Sequence, residues 1–231
     1  MYSSVFACVL IVLAVLFNGC AGPCNGPVAG LPGAQGAQGP AGQTVSVAAP
    51  DATMTIVNQY NAYRLSVGQD PVSPGLACTL YSVPSSTTSI LSTPTSSFST
   101  TGWTNEGTFT YVGAFNQPSQ PGTSGFNVLP VNLQPFYATY FVVHCTGYLA
   151  VATSGFHAFT LDSDDGSNLY VDGGLPLVND DGLHSMASAT GVKNLQANMH
   201  SFEIDYFEGP GNVGLILNED GVLMPSEALW H

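Results

Sequence analysis

From Gly75 to His231, short runs of β-branched and aromatic residues alternate with clusters of Gly, Pro, Ser and Asn. Runs of that length suit strands, and the clusters between them fix where the chain reverses. The pattern predicts an all-β fold, an antiparallel β-sandwich or barrel with long loops over residues 75–231. Composition supports this: charged residues are only 7% of the 231 residues, while Gly, Ser, Thr, Asn and Pro are plentiful, a mixture that favours turns and strands over exposed helices. Residues 85–135 are rich in Ser, Thr, Pro and Asn and read as long loops around short strands, one of them at 108–112, that build a rim.

One segment departs from the pattern. Asp51 can cap a helix in which Ile56, Tyr60, Tyr63 and Val67 fall at helical spacing, and Gly68, Pro71 and Pro74 end it. Its apolar stripe can pair with copies of itself or lie against the domain that follows. This short helix sits in a linker assigned to residues 45–74.

The amino-terminal region has a different texture. Residues 5–17 form an apolar run, VFACVLIVLAVLF, followed by the small residues Gly19, Ala21 and Gly22. The run is short for a bilayer span and reads as a signal peptide over residues 1–19. The residues FNGC at 17–20 resemble a bacterial lipobox, which implies lipid attachment at Cys20 and, with Ala21 next to it, a protein anchored to a bacterial outer membrane or cell surface. An ordinary secretory signal is the alternative. A tether over 20–29 leads to residues 30–44, GLPGAQGAQGPAGQT, with glycine at every third position from Gly30 to Gly42. Only glycine fits the crowded axis of three wound polyproline-like strands, so this is a collagen-like segment. It either forms a homotrimer with help from adjoining domains, which would convert weak sites into avidity, or serves as a flexible spacer.

Export makes the five cysteines interpretable, because oxidising compartments favour disulfides. Cys8 leaves with the signal peptide. Cys78 and Cys145 each sit in a strand-like run, so a bridge pinning two neighbouring strands is expected, with a loop-entropy contribution of about 4 kcal/mol. Cys24 is left over, free or paired between chains. Only Arg64 and Lys193 are basic against 15 acidic residues, giving a formal charge of −13. The resulting field repels phosphate backbones and excludes nucleic acid as a partner.

The most specific motifs lie between residues 140 and 217. The runs YFVVHCTGYL at 140–149 and ATSGFHAFTL at 152–161 lead into DSDDGSNLYVDG at 162–173. VNDDGLH at 178–184, LQANMH at 195–200, IDYFEGPG at 204–211 and VGLIL at 213–217 follow. In this order they resemble the PA14 family, from about Gly75 to Leu217. The resemblance implies a PA14-like β-sandwich. In the sugar-binding yeast members the matching Asp-Asp pair resembles a calcium clamp closed through a cis peptide, and the ion binds sugar hydroxyls. Asp164 and Asp165 inherit that role. Those relatives take a further ligand, an Asn, from the loop before the last strand, where this chain offers Glu208 and Asn212.

Physics independent of the family also singles out Asp164-Asp165-Gly166. Adjacent carboxylates repel, so burying both requires a cation or hydrogen-bond donors. Calcium takes six to eight oxygens and suits two carboxylates on a tight turn; side-chain bonds to backbone amides, capping a hairpin turn, satisfy the same carboxylates. Both readings stand at this point. Asp172-Gly173 reads as a plain hairpin turn, Asp180-Asp181-Gly182 as a solvated loop, and His184 as a residue that packs and hydrogen-bonds. Trp103, Tyr111 and Phe115 in the variable loops are candidates for stacking on a sugar, with Trp103 and Tyr111 assigned to the ligand site.

No GxSxG, HExxH, CxxC or phosphate-cradling loop occurs in the chain. Adjacent acids on one turn do not flank a glycosidic bond as acid and base must, so an enzyme is not expected. Two functions follow. One is a surface-anchored, calcium-assisted carbohydrate-binding or adhesion module whose partner is a glycan or another component of a host or prey cell surface. The other is a structural surface lipoprotein or fibre component with a protein-binding or purely structural domain.

Overall fold

The computed structural model describes residues 51–90, 100–130, 133 and 139–231. These fall in one compact unit, Ala48–His231. The residues read as a signal peptide, as a tether with Cys20 and Cys24, and as a collagen-like segment lie outside the described residues. Among those described, no helix is long and apolar enough to cross a membrane.

Among the described residues, one α-helix, α1 (Ala52–Ser66), precedes twelve strands. The first six are β1 (Leu76–Ser82), β2 (Thr104–Tyr111), β3 (Asn116–Pro121), β4 (Phe141–Val151), β5 (Gly155–Asp164) and β6 (Ser167–Val171). The rest are β7 (Val178–Asp180), β8 (Ala187–Leu195), β9 (Asn198–Glu208), β10 (Asn212–Glu219), β11 (Val222–Leu223) and β12 (Leu229–Trp230). The predicted strand at 108–112 is the second half of β2, with Val112 just beyond it. A large sheet runs β2-β1-β4-β9-β6-β7 with β12 on β4, and a smaller one runs β11-β10-β5-β8 with β3 on β10. Every pairing is antiparallel. Both sheets stay open among the described residues, so the fold is a sandwich and not a closed barrel.

Alternation along the strands builds the core. β4 turns Phe141, Val143, Cys145 and Leu149 inward, and β9 adds Phe202, Ile204 and Tyr206. They meet Phe159 and Leu161 of β5 and Val213, Leu215 and Leu217 of β10. Full burial of each large apolar side chain contributes roughly 1.5–3 kcal/mol before ordering costs. Within this layer Cys78 and Cys145 stand directly opposite in the β1–β4 register and are disulfide-bonded, with a Cα–Cα distance of 4.0 Å. The expected pinning of neighbouring strands is thereby observed.

The helix is where expected, and its cap is the expected residue: the Asp51 carboxylate accepts the Thr53 N–H at 2.9 Å. It docks on the outer face of the large sheet, with Val57 buried and Ile56 and Tyr60 packed against a cluster of Ala150, Met199, Trp230 and Tyr148. Tyr63 and Val67 are exposed, so the buried stripe is rotated from the predicted one toward Val57. The segment read as a linker is also tied down in part. Val72 is buried, and Ser73 and His231 exchange backbone hydrogen bonds at 2.7 and 2.8 Å.

Candidate functional site

β5 ends at Asp164 in the small sheet and β6 begins at Ser167 in the large one. Asp164-Asp165-Gly166 therefore carries the chain across the sandwich. It is a sheet-to-sheet corner, not the hairpin turn that the sequence suggests, because its flanking strands pair with other neighbours. The Asp164–Asp165 peptide bond is cis. A Cβ on Gly166 would lie 2.7 Å from the Gly182 nitrogen and 2.8 Å from its oxygen. Only glycine lets the loop around Gly182 pack on the corner, and that packing brings Leu183, His184 and Ser185 beside the two carboxylates.

Asp164 and Asp165 are both buried. Asp165 Oδ1 accepts the His184 N–H and Oδ2 accepts the Gly209 N–H, each at 2.9 Å. Asp164 Oδ2 accepts the Ser119 hydroxyl at 2.6 Å, and its Oδ1 has no partner among the described residues. The pair borders an open cavity of about 330 Å³ lined by Asp164, Asp165, Leu183, His184, Ser185, Pro210 and Asn212. No lysine or arginine neutralises it: Arg64 bonds to the Asp70 carbonyl, and Lys193 to the Val171 carbonyl.

Burial pushes the Asp165 carboxyl up, against the pull of the Gly209 and His184 amides, and the charge of Asp164 adds to the rise. For His184, burial acts to lower the imidazole. The carbonyls of Asp180 and Ser185, together with the charges of Asp180 and Asp165, outweigh it and leave the group raised. Both ring nitrogens face carbonyl oxygens, Nε2 that of Asp180 at 2.8 Å and Nδ1 that of Ser185 at 3.0 Å. Only the imidazolium can donate twice.

The expected ligands are thus partly assembled. Asp164, Asp165 and Asn212 share the cavity, whereas Glu208 lies behind it, fully buried, with its carboxyl pushed up to about 9 by burial and by the two aspartates. The Tyr206 hydroxyl faces both Glu208 Oε2, at 2.5 Å, and the Asp164 carbonyl, and its bond to the carboxyl works against the rise without cancelling it.

Trp103 and Tyr111 do not reach the cavity. Trp103 packs with Tyr81, ring centroids 6.0 Å apart, beside Val83, Ile90, Val142 and Phe207. Tyr111 packs at a tilt against Phe115, ring centroids 4.8 Å apart, and donates to the Ala114 carbonyl at 2.8 Å, and Phe115 is itself core. Apolar contact within the protein captures all three. Sequence reasoning missed Ser119, Leu183, Ser185 and Pro210 as neighbours of the acidic corner; the glycines at 166 and 182 were the one signal that two loops meet there.

The PA14 domain is matched over residues 115–219. No curated protein matches the chain. Among solved structures, the PA14 domain of the MpAFP antifreeze protein is similar at a TM-score of 0.51 and 14% identity, over 70% of this chain and 92% of that one. The PA14 sugar-binding domain from an RTX adhesin gives 0.49 at 22% identity, over 68% and 98%. The Epithelial Adhesin 6 A domain from Candida glabrata, solved with Galβ1-3GlcNAc, gives 0.48 at 16%, over 71% and 89%.

Proposed function

Starting from residues 115–219 as a PA14 domain, we propose that this chain is a carbohydrate-binding adhesion module, not an enzyme, which takes sugar hydroxyls at the Asp164–Asp165 corner with the help of calcium. The observation that carries this reading is the corner itself. Two adjacent buried carboxylates border an open cavity with Asn212, one oxygen of Asp164 accepts no hydrogen bond from the described residues, and neither basic residue of the chain neutralises them. A hard cation with open coordination positions satisfies such a site and can pass hydroxyl groups of a sugar into its shell. The signal-like leader and the Cys20 motif support presentation of the module at a cell surface.

A structural reading has its own observation: both oxygens of Asp165 accept backbone amides, which capping alone would require. Calorimetric titration of calcium into the demetallated chain, followed by a glycan screen with and without the ion, separates the two. Stoichiometric calcium binding and ion-dependent glycan signals are expected, both lost in Asp164→Asn and Asp165→Asn while the circular dichroism spectrum is retained. Glycan binding that persists in both variants overturns the site. Absence of calcium and glycan binding in the unaltered chain leaves the structural reading.

A further inference from the structure

The outer face of the large sheet carries a second polar cluster that the corner does not use. Helix α1 covers one end of this face through Val57, and Val83, Ile90 and Trp103 cover the other over Val142 and Phe207. Between them, strand register sets two polar rows. His144, Asp205 and Asn168 lie side by side on β4, β9 and β6, and Thr146, Glu203 and Tyr170 form the next row. His144 Nδ1 is 2.6 Å from Asp205 Oδ1 and 3.9 Å from Glu203 Oε1. One ligand atom from each of the three lies within 4.8 Å of the other two.

A second observation points to an absent occupant. Asp205 and Asn168 are fully buried and Tyr170 is 4% exposed. Asp205 Oδ2, both side-chain polar atoms of Asn168 and the Tyr170 hydroxyl have no hydrogen-bond partner among the described residues. Folded proteins rarely leave such groups unsatisfied, and here they gather around one carboxylate. Arg64 and Lys193 are engaged elsewhere, with Tyr60 and the Asp70 carbonyl and with the Val171 carbonyl and Asp172 respectively. The cluster also has a route in: Glu203 and Tyr170 line a cavity of about 150 Å³ shared with Thr146, Gly147, Gly173 and Ser201.

We propose that His144, Glu203 and Asp205 form a divalent transition-metal site on this face, with Asn168 and Tyr170 supplying the surrounding polar contacts. The donor set decides the class of ion. One imidazole nitrogen with two carboxylates suits zinc or manganese, whereas calcium takes oxygen ligands alone. The ion would replace the His144–Asp205 hydrogen bond and engage the orphaned Asp205 oxygen. The site is independent of the corner, so its failure and the failure of the sugar-binding reading are separate outcomes.

The test equilibrates the demetallated full chain with zinc, measures bound metal after dialysis, and records the visible spectrum of the cobalt-loaded chain. Stoichiometric zinc is expected, with a cobalt absorption band that zinc displaces. His144→Ala and Asp205→Asn each lower affinity by more than the roughly 10–100-fold typical of losing an outer-shell partner. Glu203→Gln, at a partly exposed position, serves as the variant whose folding is not at risk and also weakens binding. Asp165→Asn leaves zinc binding unchanged. A folded chain that takes up no zinc or cobalt, or one whose affinity is the same in all three outer-face variants, overturns the proposal.

Discussion

β9 carries two buried carboxylic acids three residues apart, and they face opposite sides of the large sheet. Glu208 points inward behind the corner and its carboxyl is pushed up to about 9; Asp205 points outward and reaches only about 6. Burial is the leading cause for both. The partners make the difference. Glu208 feels two aspartates, which add to burial against the bond from Tyr206, whereas Asp205 bonds to His144, whose imidazole is itself raised: burial lowers it, but the bond and charge of Asp205 with the charge of Glu203 outweigh that. One acid is therefore stored neutral at pH 7, and the other is mostly ionised beside a cation-capable ring. A strand with period-2 alternation delivers both environments within one turn of its pleat.

The largest effect that can break this contrast is the pH dependence from Glu208. Its folded value of about 9 lies above the ordinary 4.5, so the stabilisation belongs to the protonated form. It is present in full below 4.5 and lost as pH rises toward 9. Between pH 5 and 8 the metal-free chain should lose about 4 kcal/mol from this group, at about 1.4 kcal/mol per pH unit. Glu208→Gln, isosteric with the neutral acid, should flatten that loss in urea denaturation series. A slope unchanged by the substitution would show that Glu208 is ionised in the fold.

Asp205 sharpens the comparison over a lower and narrower window. Its shift from 3.8 to about 6 has the same sign, with stability present below pH 3.8 and lost by the time pH passes 6. The loss is about 3 kcal/mol. Asp205→Asn should remove only its own share of the decline between pH 4 and 6, making that limb shallower, while the loss that Glu208 contributes from about pH 4.5 upward remains. The same denaturation series on the single variants and on the double variant tests whether the two faces titrate independently.

The motifs themselves announced much of this molecule, and strand register explains the remainder. The runs between turn clusters became strands, and two cysteines in strand-like runs became a cross-strand pair, because each follows from local alternation. The Asp-Asp-Gly corner was legible as chemistry but not as topology. Nothing local says that β5 and β6 enter different sheets. His144, Asp205 and Asn168 are far apart in sequence and meet only through the pairing of three strands; the same residues read along the chain are three unremarked polar positions. Half of the helix face was misjudged for a similar reason: Ile56 and Tyr60 pack as expected, and Tyr63 and Val67 have the right spacing, but the docking sheet selects Val57 in their place.

The smallest expected effect concerns the aromatic residues. Sequence reasoning places Trp103 at the sugar, while the structure packs it on Tyr81, Val83 and Phe207 and leaves the cavity to Leu183, Pro210 and polar groups. Trp103→Ala removes packing and should lower stability, but it removes no group that lines the corner. Substitutions at sites that share no partners combine within about 0.5 kcal/mol, which corresponds to roughly twofold in affinity. Glycan binding by Trp103→Ala, measured where the variant is still folded, should stay within that range, whereas Leu183→Ala should weaken it further. The reverse ranking would mean that sugar is held by the loop aromatics, and the corner would then be the structural element that its amide bonds allow.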